Sequence, residues 1–134
     1  MNIFKTKKQL IHGTKYSEIY PRALSLYKNI ASKTKRRPYI RSEYFKREKI
    51  FLDYFWSHIR EKNMRDRVCR LKLYYCAHDL IEHSRVKPNS QPNPMKKSEI
   101  LYRFTGQTYA GESFYVQIKE NKRKQKHFMS VFPA

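Results

Sequence analysis

The sequence is poor in glycine, cysteine and acidic residues, and each shortage excludes a class of site. Three Gly among 134 residues are too few for the glycine-rich loops of P-loop or dinucleotide-binding folds. The two Cys form no CxxC pair, and the chain has neither an HExxH motif nor a Cys/His cluster at zinc spacing. The 11 Asp and Glu are scattered and offer no convincing pair for two-metal catalysis. We therefore expect no metal and no cofactor.

Long apolar stretches are also missing. No run approaches the roughly 20 residues that a membrane-spanning helix needs, and the first residues lack an apolar signal core. We expect no membrane partner and a cytoplasmic location. If Cys69 and Cys76 share a helix, their Cα atoms lie about 10 Å apart, beyond the roughly 7 Å limit of a disulfide. They are thus predicted to be free thiols, most simply small core residues.

Positive charge is what the chain has in excess. Lys and Arg number 30 against 11 acidic residues, for a net charge of +19. This excess indicates a polyanionic partner, with nucleic acid first and an anionic membrane or acidic protein second. With 11 Tyr and 8 Phe, the chain can bury enough surface to fold, so it is not a disordered basic tail. Its length predicts a single domain, residues 1–134.

Three stretches between residues 98 and 133 alternate side chain by side chain, which predicts antiparallel strands. One predicted face is apolar and includes Met129 and Val131 of the last stretch. Gly106 and Gly111 flank the connection between the first two stretches, where glycine suits positive φ. The opposite face collects cationic and hydrogen-bonding groups. These are Arg103, Thr105, Gln117, Lys119 and Ser130.

Helical periodicity dominates the region before these strands. Residues 1–40 are interpreted as a basic arm, loose or forming an edge element, followed by a first helix over about Pro21 to Ser32 with Pro21 in its first turn. Residues 41–83 are predicted to form a helical hairpin that covers the apolar face of the sheet. Its first helix begins at Ser42 and runs to about Glu61, and its second begins near Asn63. Val86 to Pro94, rich in Pro and Asn, is predicted to be an irregular crossover.

The polar face carries groups that could cleave RNA without a metal. In that reaction the ribose 2′-hydroxyl attacks the adjacent phosphate, and the protein aligns the attack, moves protons and stabilises negative charge. The candidate catalytic residues are the five of the polar face together with His83, a proton carrier near the end of the last helix. The alternatives are that His83 is an exposed helix-end residue and that Arg103 and Lys119 belong to a solvated sheet face. His127 is a second option, and His58 is interpreted as a packing residue.

Basic clusters outside the strands are candidate phosphate contacts, although each could also be a solvated loop. They lie in the connector before residue 38, after His83 and in the loop before the last strand. The candidate RNA-binding residues are Lys35, Arg36, Arg37, Arg85, Lys87, Lys122, Arg123 and Lys124.

Several motifs of this chain are familiar. The segments LYRFTGQT, ESFYVQIKE and FMSVFP, with RRPYIRSEYFKREKIFLDYFWSHI upstream, resemble phage- and mobile-element-associated nuclease domains of the barnase, EndoU, colicin D and RelE grouping (BECR) over about residues 35–133. The resemblance implies N-terminal helices on a curved antiparallel sheet of about four strands. It also implies a metal-independent ribonuclease, commonly a toxin, whose site residues fall by position on Arg103, Thr105, Gln117, Lys119 and Ser130. The predicted fold is therefore α+β, with about three N-terminal helices on one face of a small curved antiparallel sheet of three to four strands.

The leading hypothesis is an endoribonuclease toxin that cuts tRNA or mRNA to leave a 2′,3′-cyclic phosphate. An acidic antitoxin or immunity protein is the corresponding partner. A non-catalytic RNA- or DNA-binding module is the alternative, because phosphate contacts need no histidine. A partner-binding protein of a mobile-element system is the third reading.

Overall fold

The computed structural model describes residues 3–134, so Met1 and Asn2, the start of the predicted arm, lie outside it. Helices and strands are interleaved along the chain. Their order is β1 (Phe4–Lys5), α1 (Tyr16–Lys33), β2 (Tyr39–Ser42), β3 (Glu48–Phe51), α2 (Asp53–His58), a 3-10 turn (Ile59–Glu61), α3 (Met64–Lys72), α4 (Tyr74–His83), β4 (Asn89–Asn93), β5 (Lys96–Gln107), β6 (Ser113–Glu120) and β7 (Lys126–Pro133).

All described strands belong to one mixed seven-stranded sheet, in the order β1-β5-β6-β7-β3-β2 with β4 also paired to β5. The strands β5, β6 and β7 form the antiparallel centre. The pairs β1 with β5 and β3 with β7 are parallel, whereas β2 with β3 and β4 with β5 are antiparallel. Both β1 and β4 pair with β5, at its C-terminal and N-terminal ends respectively.

The chain is α+β, but the predicted architecture of three N-terminal helices on a small antiparallel sheet of three to four strands is wrong. The sheet is mixed and twice as large, because four short strands extend the three-stranded centre. Two of these strands, β2 and β3, lie between helices rather than after them. The predicted crossover Val86 to Pro94 contains β4, an edge strand with a register shift beside Pro92, and edge strands tolerate proline.

The helical hairpin predicted for residues 41–83 is also wrong in its first half. Residues 39–51 form the β2–β3 hairpin, whose turn contains Lys46 and Arg47 with positive φ. Its aromatic residues Tyr44 and Phe45 pack edge-on against Phe104, so tertiary contacts outweigh the helical spacing. The helix that follows, α2, is short and begins only at Asp53.

The remaining helices differ from prediction in their limits. The first begins at Tyr16, so Pro21 lies inside α1 and not in its first turn. Asn63 caps α3 as expected, its side chain accepting the backbone N–H of Asp66 at 2.9 Å. The chain then breaks at Leu73 and starts α4, instead of continuing as one helix. Both cysteines are free thiols, as predicted. Cys76 is buried in the core, whereas the predicted core position of Cys69 is wrong, because its side chain is exposed.

The core lies between the helices and one face of the sheet, which we call the core face. Its central row is Phe104, Val116 and Val131, paired across β5, β6 and β7 and all buried. Helix α4 packs on this face, because a Cβ on Gly106 would lie 2.9 Å from Leu80 and 2.5 Å from the ring of Phe114. Gly106 is therefore required by close packing, and the positive φ belongs to Gly111 alone of the two.

A bulge in β7 sets which residues reach the opposite face. Gln117 pairs with Ser130 but Ile118 pairs with Phe128, so Met129 is the extra residue. The bulge reverses the phase of the alternation at this point. Phe128 and Val131 are both fully buried, which corrects the predicted grouping of Met129 with Val131.

Among residues 3–134, no helix combines the length and apolar character needed to cross a bilayer.

Candidate functional site

Three of the predicted site residues form a row across the face opposite the core, which we call the groove face. Arg103 on β5 pairs with Gln117 on β6, and Gln117 pairs with Ser130 on β7. Paired residues in antiparallel strands point to the same side, with Cβ atoms about 5 Å apart. The local alternation of the three strands therefore brings a guanidinium, an amide and a hydroxyl together.

A second guanidinium reaches this row from α3. Arg70, in the last turn of that helix, donates a hydrogen bond from Nη1 to the Ser130 hydroxyl. Its guanidinium carbon also lies 5.3 Å from the ring centroid of Phe132, and that of Arg103 lies 5.7 Å from the same ring. The two arginines thus converge from different elements on one aromatic side chain, with cation–π geometry that orients both.

Two cavities meet at Gln117, and together we call them the groove. The first, of about 300 Å³, lies between the sheet and the α2–α3 region, and Gln117, Ser130, Arg70 and Phe132 are among its lining residues. The second, of about 140 Å³, is lined by Arg103 and Gln117 together with residues of β4. Since Gln117 lines both, Ser130 lines the first and Arg103 lines the second, the row extends from one cavity to the other.

His58, at the end of α2, lines the larger cavity and is its candidate proton carrier. Its Nδ1 lies 2.9 Å from the backbone carbonyl oxygen of Tyr54. A carbonyl oxygen only accepts, so Nδ1 carries the proton and Nε2 of the neutral ring keeps its lone pair. The ring stacks on that of Tyr54 with centroids 4.0 Å apart, which restricts its rotation.

Lys119 lies on the groove face but its charge is already compensated. Its side chain is 16% exposed, and its Nζ lies 3.7 Å from a carboxylate oxygen of the buried Glu99. The ring of Tyr54 covers the ammonium at 4.2 Å. Lys119 is thus less accessible to a phosphate than Arg103, which is exposed and, within residues 3–134, forms no ion pair.

His127 is paired with Lys119 across the sheet and is buried beneath the same surface. Burial, reinforced by the positive charges of Arg37 and Lys119, lowers the pKa of His127. Its Nε2 contacts the side chain of Asn121 at 3.3 Å, whereas Nδ1 is buried without a partner. His127 therefore stays neutral and has less access to the groove than His58.

Thr105 also lies on the groove face, two residues along β5 from Arg103, and pairs with Tyr115 on β6.

His83 does not lie on the groove face. It ends α4, the helix that packs on the core face, and lines a cleft between α4 and α1. Its Nδ1 lies 3.0 Å from Asp79, and its side chain is 66% exposed. The structure thus places His83 on the other side of the sheet from Arg103 and Lys119.

The candidate RNA-binding residues divide by location. Arg37 approaches the groove face, since it binds Asp53 through two nitrogens at 2.8 and 3.1 Å and lies 4.5 Å from the ring of Phe51. Phe51 itself pairs with His127. Arg85 is engaged with Glu43 at 3.0 Å. The other candidates are exposed in loops: Lys35, Arg36, Lys87, Lys122, Arg123 and Lys124.

The groove face extends beyond the predicted residues, onto β2 and β3. The ring of Tyr39 has the guanidinium of Arg41 at 5.4 Å and the ammonium of Lys49 at 4.7 Å. Tyr39 pairs with Phe51, and Arg41 pairs with Lys49. Register therefore places this cation–aromatic group on the same face as the row, at the far edge of the sheet.

Sequence reasoning missed Tyr54, His58 and Arg70, which close the groove on its helical side. The interpretation of His58 as a packing residue rests on a long amphipathic helix that the structure replaces with the β2–β3 hairpin and the short helix α2. Helix α2 instead lies beside β7, which pairs with β3 only at residues 126–127. The spacing of Tyr54 and His58, one helical turn apart, was the available signal for a stacked pair.

Within residues 3–134, no three His, Cys, Asp or Glu side chains are grouped as metal ligands would be. The fold and groove define an α+β protein with a cationic, aromatic sheet face flanked by helices. Comparison of the chain with protein-family models, curated proteins and solved structures gave no match. The resemblance to BECR nucleases therefore stays a prediction.

Proposed function

We propose that this protein is an endoribonuclease that cleaves RNA without a metal, with His58 as its general base. The observation that carries the proposal is the 2.9 Å contact of His58 Nδ1 with the Tyr54 carbonyl oxygen, from which we infer that Nδ1 carries the proton. It leaves Nε2 as a base in the cavity that also contains Arg70, Gln117 and Ser130. A net charge of +19 supports a polyanionic substrate.

The chemistry follows from these positions. Nε2 of His58 takes the proton of a ribose 2′-hydroxyl, whose oxygen attacks the adjacent phosphorus. The guanidinium groups of Arg70 and Arg103 stabilise the additional negative charge on the phosphate oxygens. The bond from phosphorus to the 5′ oxygen breaks, and that oxygen takes a proton from solvent. The products are a 2′,3′-cyclic phosphate and a 5′-hydroxyl.

Gln117 and Ser130 position the substrate in this scheme. Ser130 accepts from Arg70 and so holds that guanidinium over the cavity. The Gln117 amide lines both cavities and, within residues 3–134, forms no side-chain hydrogen bond, which leaves it free for a sugar or base. The exposed loop cations Lys35, Arg36 and Lys122 to Lys124 extend the surface available to a longer RNA.

The proposal includes a cytoplasmic location and a restraining partner. Two free thiols, one of them exposed, suit a reducing compartment. An RNase free in the cytoplasm damages its host unless it is inhibited, and an acidic antitoxin or immunity protein would complement the groove face. The proposed RNA target is tRNA or mRNA.

Cleavage of labelled RNA in EDTA tests the proposal. Wild-type protein should give products that end in a 2′,3′-cyclic phosphate, and His58→Ala should lower the rate by about 10²-fold or more. RNA affinity should change little, because the truncation leaves the groove cations Arg70 and Arg103 in place. The matched control is His83→Ala, which removes a histidine from the opposite side of the sheet and should cleave like wild type.

Two outcomes would contradict the proposal. Equal rates for His58→Ala and His83→Ala, with both variants folded, would remove His58 from the mechanism. Salt-sensitive RNA binding with no cleavage by wild type would identify the chain as a non-catalytic binding module. That second candidate is favoured by the exposed loop cations, which need no histidine to bind phosphate.

A further inference from the structure

A cleft of about 680 Å³, larger than the two cavities of the groove, lies on the other side of the sheet. It opens between α1 and α4, both of which contact β2. Leu26 and Ile30 from α1, with Ile40 from β2, give it apolar walls. Its volume falls in the range of roughly 300–1,000 Å³ that is typical of small-molecule sites.

The α4 side of the cleft is acidic although the chain is strongly basic. Asp79 and Glu82, one turn apart on α4, both line it, together with the basic residues Lys8 and His83. Glu82 also borders a neighbouring pocket lined by Lys33, Arg41 and Arg47. Asp79 is satisfied within the protein, since it accepts the Thr6 hydroxyl at 2.7 Å and contacts Nδ1 of His83 at 3.0 Å. The charge of Asp79 is therefore committed to protein groups.

Glu82 differs from Asp79 because it has no such partner. Within residues 3–134 it makes no hydrogen bond or ion pair, and it is half-buried. Burial raises the pKa of Glu82, and the neighbouring basic residues His83, Lys8 and Arg47 oppose this rise without cancelling it, because none of them forms a hydrogen bond or ion pair with Glu82 within residues 3–134. A cation placed against Glu82 would restore the missing interaction.

The cleft also borders the buried His78. This ring lies 4.3 Å from that of Tyr74, and neither ring nitrogen has a hydrogen-bond partner in the described chain. Burial lowers the pKa of His78 to about 3, so the ring adds no positive charge to the cleft. Neighbouring polar groups of α1, Ser25 and Asn29, can accept hydrogen bonds at the opposite rim.

We propose that this cleft binds a small organic amine, whose ammonium group contacts Glu82 and whose hydrocarbon part lies against Leu26, Ile30 and Ile40. The rim of Ser25 and Asn29 accepts the remaining N–H groups. The site is separate from the groove, and this assignment does not depend on the proposed ribonuclease activity.

Three probes of equal length and different head group test the assignment: hexylamine, hexanol and hexanoate. Backbone amide NMR shifts should report hexylamine binding with residues of α1 and α4 affected, at a dissociation constant on the order of millimolar for so small a ligand. Hexanol should bind more weakly and hexanoate not at all. Glu82→Gln should weaken hexylamine about tenfold, the usual scale of a charge-assisted hydrogen bond.

A second variant separates occupancy of the cleft from charge alone. Ser25→Trp places a large ring at an exposed rim position, so the fold is retained while the cleft is filled, and hexylamine binding should be lost. Lys28→Glu adds a negative charge at an exposed α1 position that does not line the cleft, and should leave the affinity unchanged. Hexanoate binding as tightly as hexylamine, an unchanged affinity in Glu82→Gln, or shifts confined to the groove would each overturn the proposal.

Discussion

The burial of His78 predicts that the protein loses stability in mild acid. His78 is 4% exposed, its ring centroid lies 4.3 Å from that of Tyr74 and 6.4 Å from that of Phe128, and burial lowers its pKa to about 3. The unfolded chain titrates near the ordinary histidine value of about 6.5. Between these two values the unfolded state binds more protons than the folded state. Stability is therefore fully present above about pH 6.5 and declines as the pH falls towards 3.

The size of the effect follows from the two pKa values. At about pH 5 the unfolded imidazole is almost entirely protonated while the folded one is neutral. This pH lies about 1.5 units below the pKa of the unfolded state. At about 1.4 kcal/mol per unit, His78 should lower the free energy of unfolding by about 2 kcal/mol between about pH 7.5 and 5. His127, whose pKa is also lowered, adds to the same slope.

Urea unfolding at a series of pH values measures this. His78→Leu removes the titrating ring and its two unsatisfied nitrogens, so the variant should match or exceed wild type near pH 7.5. Between about pH 7.5 and 5, the free energy of unfolding of the variant should fall by about 2 kcal/mol less than that of wild type. His12→Leu replaces an exposed histidine and should keep the wild-type slope. A wild-type slope in His78→Leu would refute the argument that this ring is buried and neutral.

Two further predictions concern packing and thiol access. Gly106→Ala should destabilise the protein by about 1–3 kcal/mol, because its Cβ would lie 2.5 Å from Phe114 and 2.9 Å from Leu80. The destabilisation should be smaller in a Phe114→Leu background. An equal destabilisation in both backgrounds would contradict the clash. Exposed Cys69 should react with a thiol reagent in the native state. Buried Cys76, whose pKa burial raises to about 11, should react only on unfolding, and equal rates for both would contradict its burial.

The strands between residues 96 and 133 were predictable because their two faces meet different surroundings. Alternating apolar and polar side chains fix the register of such strands, since a slip of one residue would expose the core row. The row Arg103, Gln117 and Ser130 follows directly from that register. What alternation could not supply was the bulge at Met129, where the pairing register of β7 with β6 shifts.

Residues 39–61 were not predictable from periodicity. Their apolar positions fit a helix, yet they form a hairpin and a short helix. The decisive contacts are long-range: β3 pairs with β7, and Phe45 packs on Tyr102 of β5. A single sequence holds no signal for such pairings, because the partner strand lies some 75 residues away. The error also displaced His58, whose role depends on where α2 lies.

The candidate cations of the site differ in how far other protein groups already neutralise their charge. Lys119 lies between Glu99 and the Tyr54 ring, and moving it to a phosphate would leave a buried carboxylate less compensated. Within residues 3–134, Arg103 forms no ion pair, and its guanidinium lies 5.0 and 5.7 Å from the ring centroids of Tyr115 and Phe132. A guanidinium on an aromatic ring keeps its N–H donors free in its own plane, so it can bind phosphate without breaking an ion pair. Arg103 is therefore expected to carry more of the affinity for RNA than Lys119, although the sequence pattern treated them alike.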